Sequence, residues 1–415
     1  MIELGLARIT RLLKDSPISW RAIHVAGTNG KGSVCAYASA MLKAAKIKSG
    51  RFTSPQLIDR WDCITIDEET VTEKLFYEAE NVVKARDHSE DIKASEFELL
   101  TATAFEIFNQ EKVEIGVIEV GMGGRQDATN VLEHPSITVI TKIDKDHETF
   151  LGTTMEEIAY QKAGIMKIGV PCIVDGSNNP AVVDVLRKNA REVKAASLVL
   201  VPQETELQHE IWSTLPKDQF EDHQQMNVAL AFEAIKQTLA HKTPTIKTHQ
   251  LLPAIQKTRW PGRLQIMSIE PLSGRKQDIL LDGAHNQQSA KVLGSYVDRK
   301  IRQSGRPVTW VVAMSKGKNV HEVLSSFLRP RDNIVAFYFG PVDGMPWVSP
   351  EDVNIILGVA QSLDALGHRV GDSQELDGAL RVAVDIAKGG PLVIAGSLYL
   401  VSDVLRLLRT AEQAR

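Results

Sequence analysis

Cysteine is scarce in this chain. Cys35, Cys63 and Cys172 are the only three in 415 residues, far apart and with no Cys-x-x-Cys pair. That spacing suggests neither a disulfide framework nor a zinc site, and it fits a reducing compartment. No apolar stretch approaches the roughly 20 residues that cross a bilayer as a helix. The first residues, Met1–Leu13, intersperse Glu3, Arg8 and Arg11 with apolar residues at helical spacing, unlike the charged cap and apolar core of a secretory signal. There is no long lysine or arginine run, and a formal net charge of -4 argues against nucleic acid as the main partner. Internal repeats and low-complexity tracts are missing too. What remains is an ordinary globular composition, 43% hydrophobic and 24% charged, long enough for two domains. The expectation is a cytosolic protein, with an organelle pool compatible with the same composition.

Against this background one stretch stands out: V-A-G-T-N-G-K-G-S-V, Val25–Val34. The apolar, partly β-branched run before it, Arg21–Ala26, reads as a buried strand, and Ser33–Ala45 reads as a helix. Strand, glycine loop, helix is the order of a triphosphate cradle. Glycines let backbone N–H groups converge on phosphate oxygens, the helix N-terminus favours negative charge, and Lys31 supplies a mobile cation. The spacing differs from the widespread G-x-x-x-x-G-K-[ST], because Gly32 separates Lys31 from Ser33.

Further apolar runs at Ile23–Ala26, Ile115–Val120, Ile137–Thr141 and Val170–Val174 alternate with helical segments, which is α/β grammar with a mainly parallel, doubly covered sheet. A second series, Asp278–Asp282, Val308–Ala313, Asn333–Phe339 and Pro391–Ala395, alternates with helices such as Ser289–Lys300 and Leu376–Ala387. Ser268–Gln277 lies between the two series and reads as a linker. Domains are therefore expected at 1–268 and 269–415.

Polar residues cluster where such strands end, which is where open α/β sheets bind ligands. Ser54 precedes Pro55 in F-T-S-P-Q-L. Glu119 stands inside an apolar run, and a buried carboxylate needs a partner or a metal; beside a phosphate loop, magnesium is the simplest partner. Asp146 and His147 follow the Ile137–Thr141 strand, Lys162 lies on a helix beyond them, and L-D-G-A-H-N, Leu281–Asn286, ends the first strand of the second series.

In order along the chain, these residues resemble the folylpolyglutamate synthase and dihydrofolate synthase branch of the Mur ligase superfamily. The resemblance rests on H-V-A-G-T-N-G-K-G-S, T-S-P-Q-L, S-E-F-E-L-L-T, E-V-G-M-G-G-R-Q-D-A-T-N, D-H-x-x-x-L-G, K-A-G-I, W-P-G-R and D-G-A-H-N, and it covers nearly the whole chain. It implies a P-loop, Mur-ligase-like first domain and a smaller Rossmann-like α/β domain. It implies ATP contacts from Thr28, Asn29, Gly30, Lys31, Gly32, Ser33, Asn227, Arg263 and Asp282, and a magnesium ion on Ser54, Glu119 and His147. Lys162 matches a lysine that can be carbamylated. The pterin acceptor is implied near Ser95, Glu96, Phe97, Glu98, Gln126, Asp127 and Ala128, and L-glutamate near His285 and Ser397.

The implied activity is ATP-dependent ligation of glutamate through an acyl phosphate, by a monomer with small-molecule substrates and no nucleic-acid or membrane partner. Phe52–Ile66 looks most like the fungal-type dihydrofolate synthases, which favours dihydropteroate; the alternative is folylpolyglutamate synthesis on reduced folate, or both activities in one enzyme. Gln56, Asp62, Cys63 and M-S-K-G-K at Met314–Lys318 depart from the family pattern and bear on acceptor or glutamate contacts. A remote alternative is a regulatory GTPase, because T-K-I-D at Thr141–Asp144 mimics a guanine-reading motif.

Overall fold

In the computed structural model the described residues are 5–202, 206–240, 246–258, 260–302, 305–342, 345, 348–369 and 376–413. The chain forms two compact units. The first is Met1–Gln56 with Trp61–Arg259, the second Trp260–Arg415 with the short excursion Leu57–Arg60. Of the N-terminal segment expected to be helical, Ala7–Leu12 is helix, and residues 1–4 lie outside the described residues.

The first unit holds β1 (Arg21–Ala26), β2 (Ser49–Phe52), β3 (Ile64–Ile66), β4 (Glu69–Thr70), β5 (Ile115–Glu119), β6 (Ile137–Ile140), β7 (Cys172–Asp175) and β8 (Leu198–Val201) in one sheet of order β4-β3-β2-β5-β1-β6-β7-β8. β2, β5, β1, β6, β7 and β8 run parallel, while β3 and β4 add an antiparallel edge. β1 is central. Its Ile23 and Val25 face a core with helices Lys31–Ala44 and Asp222–Ala240. Its Ala22 faces the opposite core, with helices Glu73–Ser89 and Glu96–Gln110. The chain first fills the β5 side of β1 and then crosses to β6, so the end of β1 is the point where strand order reverses and a crevice opens.

The second unit holds β9 (Gln265–Met267), β10 (Ile279–Leu281), β11 (Thr309–Val312), β12 (Asn333–Ala336), β13 (Leu366–Arg369) and β14 (Leu392–Ala395), in the order β13-β12-β11-β14-β10-β9. All pairs are parallel except β9 with β10. Alternate residues of β11 serve opposite cores, Trp310 and Val312 on one face and Val311 on the other. β9 lies ahead of the break expected at 268 but pairs with β10, so it belongs to the second sheet. The expected linker contains one helical turn, Glu270–Ser273, with Pro271 in its first turn and Gly274 at φ +71° ending it. Among the described residues no helix is long and apolar enough to cross a membrane.

Candidate active site

β1 ends at Ala26 and a glycine turn leads into helix Lys31–Ala44. Gly27 has φ +150°, and a methyl there would lie 1.8 Å from Thr141 Oγ1, so only glycine fits. Gly30, at φ +96°, occupies the position before the helix, and a methyl on it would meet Asn227 Oδ1 at 2.4 Å. Asn227 is thereby packed against the loop from helix Asp222–Ala240. The amides of Lys31, Gly32 and Ser33 begin the helix, where N–H groups have no intrahelical acceptor and point out along the axis. Such a helix start is suited to cradle an anion.

A second segment braces this loop. The Lys142 carbonyl accepts the N–H groups of Thr28 and Asn29 at 2.8 and 3.1 Å. The Thr141 hydroxyl donates to the Asn29 carbonyl at 2.8 Å, and the Thr28 hydroxyl donates to the Asp144 carbonyl at 2.9 Å. Asn178, in the turn after β7, fixes the brace by donating to the Thr141 carbonyl and accepting the Ile143 N–H. The amides of Thr28 and Asn29 are thus bonded within the protein. T-K-I-D, which the GTPase alternative would aim at a guanine base, is instead the loop's scaffold, with Lys142 Nζ held by Ser177.

Lys31 Nζ lies 3.3 Å from the Thr28 carbonyl and 3.8 Å from Glu119 Oε1. Glu119 is 5% exposed at the end of β5, and its Oε2 accepts the Ser54 N–H at 3.2 Å. Ser54, before a cis proline, follows β2, so three neighbouring strands deliver Lys31, Ser54 and Glu119 to one spot. The lysine ammonium occupies the cationic position beside the carboxylate, and the residues fit a divalent ion there. Magnesium is usually held by one or two carboxylates together with nucleotide phosphates rather than by a full protein cage. Accordingly, among the described residues no three His, Cys, Asp or Glu side chains gather as a metal site.

His147 precedes helix Glu148–Leu151 in left-handed backbone, φ +53°, with its ring half-exposed and Nε2 4.0 Å from Asp146 Oδ2. Lys162 is buried, and its Nζ donates to the Gly27 carbonyl at 2.9 Å. Burial first, and then the charge of Lys31, pushes its pKa down to about 7.

The residues expected for the acceptor divide into two groups. Phe97 stacks on Phe52 at 6.1 Å and presses on Gly121, where a methyl would meet its ring at 2.4 Å; Gln126 is exposed nearby in sequence. Ser95 and Glu98 are occupied as a capping box on helix Glu96–Gln110, and Glu98 also receives Arg8 Nε at 2.9 Å. Asp127 points inward, one oxygen accepting the Met122 N–H and the other the Thr129 N–H and hydroxyl; it caps the turn Ala128–Val131. Neither Arg8 nor Asn178 stands out in the sequence as a site residue, and Thr141 does so only as the first residue of T-K-I-D.

In the second unit, Asp282 follows β10 and accepts the N–H groups of Leu264 and Ala284 at 2.7 and 2.8 Å. Burial pushes its pKa up, opposed by Arg263 and these amides. His285 Nδ1 lies 2.9 Å from the Gly283 carbonyl, to which it donates, leaving Nε2 as the acceptor. Ser397 follows β14, 2% exposed, and its hydroxyl oxygen accepts the Tyr399 N–H. All three stand at C-terminal ends of parallel strands.

The Mur ligase middle domain family matches residues 25–198, and the family described as dihydrofolate synthetase, C-terminal domain, matches residues 265–407. A probable dihydrofolate synthetase of Schizosaccharomyces pombe is 37% identical over 98% of this chain and 99% of its own. The chain belongs to the dihydrofolate synthase and folylpolyglutamate synthase family. The dihydrofolate synthetase of Saccharomyces cerevisiae is 34% identical over 98% of each chain. A bifunctional folylpolyglutamate synthase/dihydrofolate synthase of Yersinia pestis, solved with AMPPNP and manganese, is 25% identical with a TM-score of 0.76, covering 98% of this chain and 94% of that one. The family accounts for the two α/β sheets and for the glycine loop, and it leaves the GTPase alternative without support.

Proposed function

We propose that the chain is a dihydrofolate synthase, an ATP-dependent ligase that joins L-glutamate to 7,8-dihydropteroate with release of ADP and phosphate. The observation that carries this reading is the convergence of Lys31, Ser54 and Glu119 at the glycine loop of a chain matched over nearly its full length by dihydrofolate synthetases. The acceptor carboxylate attacks the terminal phosphate of ATP, and the resulting acyl phosphate is captured by the glutamate amine. The first step gathers negative charge, so catalysis is mainly positioning and electrostatic stabilisation. Lys31 neutralises the transferred phosphoryl group, and the helix amides after Gly30 hold the phosphate chain. Ser54, Glu119 and His147 would hold magnesium, which when bound adds charge neutralisation on the phosphate oxygens. No side chain is needed as a covalent nucleophile.

Lys162 fits carbamylation because an amine reacts with carbon dioxide only when unprotonated, and a pKa near 7 supplies that form at neutral pH. Arg263 and Asp282 are assigned to ATP, His285 and Ser397 to glutamate. Three buried free cysteines accord with a cytoplasmic location.

The test is incorporation of labelled L-glutamate with ATP and magnesium, offering dihydropteroate in one reaction and tetrahydrofolate in another. Incorporation with dihydropteroate is expected. Incorporation with tetrahydrofolate alone would make the protein a folylpolyglutamate synthase, and with both a bifunctional enzyme.

A further inference from the structure

His24 stands in β1, three positions before Gly27, wholly buried at the centre of the sheet. A buried imidazole is costly unless it is bonded, and an aliphatic residue would fill the same space. Its Nε2 lies 2.9 Å from Thr129 Oγ1. Thr129 has a single hydroxyl proton, and that proton goes to Asp127 Oδ1 at 2.6 Å. The Thr129 oxygen must therefore accept from His24, which makes His24 the Nε2–H tautomer. Nδ1 is left as a bare lone pair, and it is a buried atom with no hydrogen-bond partner among the described residues. Burial, aided by the charge of Lys167, pushes the imidazole pKa down to about 3, so the ring stays neutral.

The chain of bonds does not stop at Thr129. Asp127 passes from the Thr129 hydroxyl on one oxygen to the Met122 N–H on the other, 2.8 Å away, and so closes the turn that follows Glu119. That turn begins at Gly121, against which Phe97 packs. The strand that launches the phosphate loop is thereby bonded, through three side chains, to the turn at the acceptor subsite.

We infer that His24 is a positioning residue for the acceptor: as the Nε2–H tautomer it aims the Thr129 hydroxyl at Asp127 and so fixes the Gly121–Asp127 turn. The inference rests on the reading that this turn and Phe97 receive dihydropteroate. It separates acceptor binding from nucleotide binding, because the phosphate loop is braced independently by Thr141–Asp144.

The experiment compares His24→Leu, which keeps bulk and removes the donor, with His24→Gln, whose amide can donate near the position of Nε2. His24→Leu is expected to raise KM for dihydropteroate about tenfold, the scale of one buried hydrogen bond lost, with KM for ATP nearly unchanged. His24→Gln is expected to restore most of that loss. Equal effects on both KM values, or no rescue by glutamine, would make His24 a packing residue and overturn the inference. Two readouts need no turnover. In the wild-type protein, nitrogen-15 NMR should find His24 protonated at Nε2 only, across about pH 5 to 8; the Nδ1–H form or the imidazolium would overturn the assignment. In His24→Leu, amide exchange of Met122 and Thr129 should quicken, and unchanged protection would count against it. Wild-type protein inactive on dihydropteroate would sink the functional reading while leaving these two tests intact.

Discussion

Gly27→Ala should be far more damaging than its single methyl suggests. The backbone at φ +150° is strained for any residue with a Cβ, at a cost of about 1–3 kcal/mol. The methyl would lie 1.8 Å from Thr141 Oγ1 and 3.0 Å from Thr141 Cβ, so the side chain that supports the Asn29 carbonyl must move, at a further cost of about 1–3 kcal/mol. Together these come to about 4 kcal/mol, or roughly 10 °C in Tm for a domain of this size. A matched control exists in the same unit. Gly169 has φ +69° and nothing within 4 Å of an added methyl, so Gly169→Ala carries the backbone strain alone, about 1–2 kcal/mol. Adding Thr141→Ala to Gly27→Ala removes the nearest atom but leaves Cβ, and should recover only part of the loss. Thermal unfolding and ATP titration of the variants measure both consequences. Equal Tm losses at Gly27 and Gly169, with ATP affinity intact, would refute the claim that Thr141 and Gly27 are fitted to one another.

Lys31→Ala should abolish glutamate ligation and lower stability only modestly, by about 1–2 kcal/mol for taking the cation from beside the buried Glu119; full activity would remove its assigned role. Lys162 sets a pH dependence: its folded pKa of about 7 lies below the ordinary 10.5, so between those values the unfolded chain binds more protons and stability gains with rising pH. Urea midpoints at pH 7, 8 and 9 should therefore show a rising contribution that Lys162→Met flattens. Stripping carbon dioxide should lower activity and bicarbonate should restore it; indifference to both would exclude carbamylation. Arg8→Ala should cost about 2 kcal/mol by leaving the buried Glu98 carboxylate without its guanidinium partner, and urea unfolding would detect it.

How much of this was legible in the sequence depended on whether a signal was local. β1, β5 and β6 are legible to within two residues because they are apolar and buried on both faces, and Leu376–Ala387 is legible at both ends because its apolar stripe is regular. β2, Ser49-Gly50-Arg51-Phe52, is not. Two of its four residues are polar, yet all four are buried: Gly50 lies under the Phe108 ring, and Arg51 bonds Thr65 and approaches Glu68 across the sheet. Those partners cannot be inferred from four letters. The same holds at the site. Glu119 announced itself as a carboxylate in an apolar run, whereas Glu98 and Asp127 matched family motifs and turned out to have their carboxylates bonded within the protein. A motif reports that a residue matters at a site without saying whether it touches ligand or shapes the backbone that does.

The excursion Leu57–Arg60 shows the limit most sharply. It leaves the first unit directly after the Ser54–Pro55 turn, and its contacts lie at the far end of the chain. Leu57 packs with the core around β10 and β14, Arg406 donates to the Ile58 carbonyl, and Arg409 pairs with Asp59 through both nitrogens. Neither arginine belongs to a motif; both lie on helix Leu398–Gln413. Leu57, Ile58 and Asp59 are thus held by the second unit's core and its helix Leu398–Gln413. Arg409→Ala should therefore loosen Leu57–Arg60 first, which hydrogen exchange of Ile58 and Asp59 would report. Unchanged exchange at Asp59 would show that the apolar seat of Leu57 is sufficient and that the ion pair adds nothing, as exposed pairs often do.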